Sequence, residues 1–137
     1  MTELIKILLV EDNPGDAAVL RRLLAAIDGV DFQIDLAVRL DDGLSRVAKH
    51  THDLVFLDLT LPDSVGYQTF ERMAAAAPDL PIIVMTSVDD ATLENAATDL
   101  GVQDYIVKGS IDSAGLARSI RDACERKRLD VRSRHSK

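Results

Sequence analysis

Three short runs of almost unbroken apolar residues constrain this chain more than any other feature. Leu4, Ile5, Lys6, Ile7, Leu8, Leu9 and Val10 form the first, which stops abruptly at Glu11-Asp12-Asn13-Pro14-Gly15, a dense turn signal. Asp53 to Asp58 and Pro81 to Thr86 are the second and third. Segments this short, without polar alternation, suit strands covered on both faces, as in a parallel sheet flanked by helices.

Helical spacing fills the intervals between these runs. Asp16 to Ile27 places Ala17, Leu20, Leu23, Leu24 and Ile27 on one face, with Arg21 and Arg22 outward. Phe32 to Val38 reads as a shorter strand, and Asp41 or Asp42 is expected to cap a helix burying Leu44, Val47 and Ala48. A loop through Pro62 and Gly66 leads to an Ala-rich helix from about Gln68 to Ala77. Ala91 to Leu100 reads as a helix closed by Gly101, and Asp104 to Val107 as a fifth strand. The last helix is expected from near Asp112 to Arg128, with Leu116, Ile120, Ala123 and Cys124 inward. Five strands alternating with five helices imply a doubly wound α/β domain.

The 137 residues match one domain, and 47% hydrophobic residues supply one core without disulfides or structural metal. The lone Cys124 excludes an internal disulfide and fits a reducing, cytoplasmic setting. No apolar run approaches the length of a membrane span, and residues 1–6 lack the layout of a signal peptide. The net charge of −7 is unevenly spread: residues 118–137 carry +5, leaving −12 on residues 1–117. That acidic body argues against direct nucleic-acid binding, and the basic run reads as a solvated helix face and tail. The expected division is a domain over residues 1–130 followed by a short basic tail, 131–137. His50, His52 and His135 have no metal-ligand spacing and are expected to be exposed.

Doubly wound sheets place ligands at the carboxyl ends of their strands. Those ends deliver Glu11 and Asp12, then Asp58, then Thr86 and Ser87, and finally Lys108. Clustered carboxylates repel, so a cation is expected among them, and oxygen-only ligands select a hard ion such as Mg²⁺. Mg²⁺ commonly shares its shell with phosphate oxygens, and a carboxylate can attack a phosphoryl group to give an aspartyl phosphate. Thr86 and Lys108 are then placed to bind the remaining phosphoryl oxygens.

The same residues resemble the receiver domain of response regulators. Glu11-Asp12, Asp58 within Leu57-Asp58-Leu59-Thr60-Leu61-Pro62 with Gly66, Thr86-Ser87 and Tyr105-Ile106-Val107-Lys108 stand in that family's order and spacing, from about Ile5 to Arg128. The resemblance implies a flavodoxin-like fold with strand order 2-1-3-4-5. It implies that Asp58 is the phosphoacceptor, supplied by a sensor histidine kinase or phosphotransfer protein. Mg²⁺ would be held by Glu11, Asp12, Asp58 and the backbone carbonyl of Thr60. Thr86 and Tyr105 would act as the switch pair and Lys108 as the phosphoryl partner. The chain would be a signalling switch that catalyses only its own phosphorylation and dephosphorylation. Its output face would comprise the fourth helix, fifth strand and fifth helix.

Two positions depart from the family pattern. Gly109 follows Lys108 where proline, often after a cis bond, is usual, and a non-proline cis bond costs about 2.5–4 kcal/mol. Ser87 replaces the common alanine after the switch hydroxyl. Other functions fit less well. A haloacid-dehalogenase-type phosphatase needs a second Asp where Thr60 stands, Lys108-Gly109-Ser110 lacks a phosphate-binding glycine loop, and a flavin carrier needs no carboxylate trio. The remaining alternative is a phosphorylation-independent, receiver-like interaction module. No output domain fits after the last helix, so output is expected through a downstream protein or domain, or through homodimerisation.

Overall fold

The first strand, β1 (Glu3–Val10), shows why its sequence is apolar throughout. Ile7 and Leu9 point to one face, where they join Leu54, Phe56, Ile83, Met85 and Leu116. Leu8 and Val10 point to the other, with Val55, Leu57, Met73 and Val84. One sheet thus divides two cores, and strand residues of either parity are removed from water. The computed structural model describes residues 3–86 and 104–135.

The described elements continue as α1 (Pro14–Ala25), β2 (Val30–Ala37), α2 (Leu40–Val47), β3 (Leu54–Asp58), β4 (Thr60–Leu61), β5 (Ser64–Val65), α3 (Tyr67–Ala76), β6 (Ile82–Thr86), β7 (Tyr105–Val107) and α4 (Ser113–His135). The main sheet is wholly parallel with order β2-β1-β3-β6-β7. That is the expected order once the small β4–β5 hairpin is set aside, and every residue of β3 and β6 is buried. The order reverses beside β1, which pairs with β2 on one side and β3 on the other. The carboxyl ends of β1 and β3 therefore flank the crevice where such sheets bind ligands.

Four helices lie among the described residues, and the fifth expected helix, Ala91 to Leu100, lies outside them. The last helix runs past its expected end at Arg128, and the backbone shows no break between 130 and 131. Its distal part holds no Gly or Pro, and Arg128–Glu125 and Lys127–Asp130 pairs support it. No helix of the described residues is long and apolar enough to cross a membrane.

Three local expectations need correction, the simplest being that Ala48, at the C-cap of α2, is exposed rather than inward. The N-cap position of α2 is Arg39, not Asp41 or Asp42, and the Arg39 side chain makes no capping bond. The carboxylate of Asp63, from the β4–β5 turn, accepts instead from the amides of Leu40 (2.8 Å) and Asp41 (3.0 Å). The His52 side chain is buried, with only 4% exposed, and its Nε2 lies 2.9 Å from Asp35 Oδ2. Asp35 also pairs with Arg46, tying α2 to the edge strand. The carboxylate satisfies Nε2, while the buried Nδ1 has no hydrogen-bond partner among the described residues.

Asp63 thus joins the segment just after Asp58 to α2. Partial burial would raise its carboxyl pKa, but the amides of Asp41 and Leu40 outweigh this and hold it below the usual value. A depressed carboxylate stabilises the fold above its unfolded pKa and loses that contribution as pH falls. Replacing Asp63 by Ala is expected to cost about 1 kcal/mol of stability at neutral pH, measured by urea unfolding. The gap between variant and parent should narrow below about pH 4.

Candidate functional site

Each polar residue at the sheet's carboxyl edge is fixed by the backbone before its side chain acts. The amide of Glu11 donates to the Ala37 carbonyl at 2.9 Å, extending the β1–β2 ladder by one residue. Asp58 ends β3 in register with Met85. The amide of Lys108 donates to the Thr86 carbonyl at 2.7 Å, extending β6–β7 in the same way. The chain then turns at Gly109 (φ +81°), and Ser110 donates to the Val107 carbonyl at 3.1 Å. A positive φ at the third position of a β-turn is glycine's to adopt, and no cis peptide occurs among the described residues.

These ladders bring the acids together. One carboxylate oxygen from each of Glu11, Asp12 and Asp58 lies within 4.8 Å of the others. Glu11 is 1% exposed and Asp58 7%, while Asp12 faces solvent. Lys108 reaches the same cluster, its Nζ 2.9 Å from Asp58 Oδ2, 2.5 Å from Glu11 Oε1 and 3.0 Å from Asp16 Oδ2. The second oxygen of Asp58 accepts from the Thr60 amide at 3.0 Å, and that of Glu11 from the Asn13 amide at 3.2 Å. Asn13 meanwhile caps α1, accepting from Gly15 and Asp16.

The remaining expected residues stand differently. Thr86 is buried at the end of β6, and its hydroxyl donates along the sheet to the Ile106 carbonyl at 3.4 Å. Tyr105, in register with Val84 on β7, is 37% exposed. Ser87 lies outside the described residues. Asp16 is the site residue that sequence reasoning missed; its place in the first turn of α1 reads simply as a favourable helix start.

Among the described residues, four carboxylates against one ammonium leave a strongly negative pocket. Burial first, and then the proximity of Asp58, push Glu11 up to about 7, although Lys108 and the Asn13 amide pull the other way. Burial alone would lower the Lys108 pKa, but Glu11, Asp58 and Asp16 together hold it above the usual lysine value. Glu11 Oε1 is buried without a hydrogen-bond donor in acceptable geometry, although the Lys108 charge is adjacent. An all-oxygen donor set with an unsatisfied buried oxygen fits a hard divalent cation.

A carboxyl whose folded pKa is raised favours the native state most below its unfolded value, and this advantage fades as pH rises through the folded one. Without divalent ions, melting temperature should therefore fall between about pH 4.5 and pH 7. In Glu11→Gln that slope should be markedly reduced, as read by calorimetry across the pH series.

Comparison with known proteins agrees with this fold. The family model described as response regulator receiver domain matches residues 7–121. The transcriptional regulatory protein DltR of Streptococcus agalactiae is 35% identical over 103 residues, covering 75% of this chain and 45% of that protein. Regulatory protein LuxO of Vibrio cholerae is 32% identical over 100 residues, covering 73% and 21%. The chain thus spans less than half the length of these relatives. Among solved structures, the signal receiver domain of an HD domain-containing protein from Pseudomonas fluorescens superposes with a TM-score of 0.78 at 23% identity, covering 96% of this chain and 95% of that one. The receiver domain of a modulated diguanylate cyclase from Desulfovibrio desulfuricans gives 0.75 at 28%, covering 93% and 99%. With its sheet order, its acidic edge and its family match in agreement, the chain belongs to the response regulator receiver domain family.

Proposed function

We propose that Asp58 accepts a phosphoryl group from the phosphohistidine of a sensor histidine kinase or phosphotransfer protein. The observation that carries this reading is the company of Asp58: two further carboxylates within 4.8 Å and the Lys108 ammonium at 2.9 Å. Glu11, Asp12, Asp58 and the Thr60 carbonyl would hold Mg²⁺. When bound, the ion screens the acids and draws charge from the phosphoryl oxygens.

The protein's own part is positional. One Asp58 oxygen attacks phosphorus; an O–P bond forms as the P–N bond to the donor imidazole breaks, and that nitrogen keeps the electron pair. The Thr60 amide and Lys108 orient the attacking carboxylate, and Lys108 then meets the oxygens of the transferred group. Thr86 gives up its bond to Ile106 and turns toward the phosphoryl group. Tyr105 moves inward behind it and changes the surface of β7 and α4. Such a switch needs about 5.5 kcal/mol of differential interaction to pass from 1:99 to 99:1. Charge-assisted bonds to a dianion supply energy of that order.

The output is read by a downstream protein or domain, or through a homodimer. A phosphorylation-independent docking role is the weaker reading, since every acidic, hydroxyl and ammonium position is filled. Incubation with acetyl phosphate and Mg²⁺ should label the wild type, whereas Asp58→Asn or chelation of the metal should abolish labelling. Persistent labelling of Asp58→Asn at the wild-type rate would remove the assignment. Lys108→Ala should retain Mg²⁺ affinity while losing the surface change. Amide spectra of the phosphorylated variant should therefore resemble those of the unphosphorylated protein around β7 and α4.

A further inference from the structure

The bond between Lys108 and Asp16 has no part in the transfer step described above. Among the described residues, the carboxylates close enough to share a cation are Glu11, Asp12 and Asp58, and Asp16 is not one of them. Its Oδ2 nevertheless lies 3.0 Å from Lys108 Nζ. We infer that Asp16 is the positioning residue of Lys108, holding the ammonium at the edge of the site once a cation has taken over Glu11 and Asp58. This inference rests on the phosphoacceptor reading of Asp58.

An ammonium has three N–H donors, and in this structure Glu11, Asp58 and Asp16 surround it. A divalent ion would neutralise the first two and repel Nζ, and their hold on it would weaken. Asp16 stands outside that cluster and would not share the ion. Its own place is set by α1: its amide donates to the Asn13 cap at 3.1 Å, and the first turn of a helix favours a carboxylate. Asp16 and Lys108 also border a cavity of about 220 Å³ whose apolar lining, Val19, Leu20, Leu23 and Met85, flanks the pair on one side. The other side is open, since 40% of the Asp16 side chain is exposed. The contribution of Asp16 is therefore geometric, holding a flexible four-carbon stem in one orientation that a phosphoryl group then finds ready.

The rival role is a first-turn acid that only steadies α1. A double-mutant cycle separates the two, using the initial rate of acetyl phosphate labelling at saturating Mg²⁺. Asp16→Asn is expected to slow labelling about tenfold, and Lys108→Ala roughly a hundredfold, the usual cost of losing a charged donor. The double variant should be no slower than Lys108→Ala alone. Wild-type speed in Asp16→Asn, or fully additive losses in the double variant, would overturn the inference.

A spectroscopic readout guards against a merely structural effect. In Mg²⁺-bound protein the Lys108 ¹⁵Nζ signal should be resolved in the wild type and averaged with exposed lysines in Asp16→Asn. An unchanged signal counts against the inference. If Asp58→Asn labels as fast as wild type, the phosphoacceptor reading fails and this inference fails with it. If labelling needs Asp58 but ignores Asp16, only the present inference falls.

Discussion

Lys108 Nζ lies within 3.0 Å of carboxylate oxygens delivered by the β1–α1 loop, by α1 and by the end of β3. Without that ammonium, Glu11, Asp12, Asp16 and Asp58 would crowd one sheet edge with no ion pair to offset them among the described residues. Like charges at such separations cost several kcal/mol where water is partly excluded. The remaining architecture serves this contact. The β1–β2 and β6–β7 ladders each run one residue past their strands, which fixes Glu11 and Lys108, and Gly109 turns the chain directly behind the lysine. The reversal of strand order beside β1 creates the crevice that all of them face.

Much of this is legible in the sequence because its signals are local. Three short apolar runs suit strands covered on both sides, and their acidic or hydroxylic ends single out Glu11, Asp58 and Thr86. Alternating helical spacing points to the parallel sheet, and the order of motifs points to its topology through family resemblance. Cys124 and the buried face of the last helix also follow from a 3.6-residue period, with Leu116, Ile120 and Ala123 inward and Cys124 beside them.

What escapes the sequence depends on partners distant along the chain. Asp63 caps a helix 23 positions away, and no local capping pattern announces that. His52 is withdrawn from solvent by Asp35, a strand residue that also binds Arg46. Asp16 looks like a routine first-turn acid until Lys108 arrives from 92 positions further on. The β4–β5 hairpin is indistinguishable from plain loop in sequence, because two-residue strands carry no periodicity. Its place is held by a buried Ser64–Thr69 hydroxyl pair at 2.7 Å. The distal part of α4 resembles a tail by its charge, yet its helix propensity prevails.

The proposed phosphoryl transfer requires a carboxylate oxygen of Asp58 to bond to phosphorus, and reductive trapping tests that directly. The domain is incubated with acetyl phosphate and Mg²⁺, treated with borohydride, digested and sequenced by mass spectrometry. An acyl phosphate at Asp58 would be reduced to homoserine at position 58, and only in samples that had received Mg²⁺. An intact Asp58 alongside a reduced or phosphorylated residue elsewhere would contradict it.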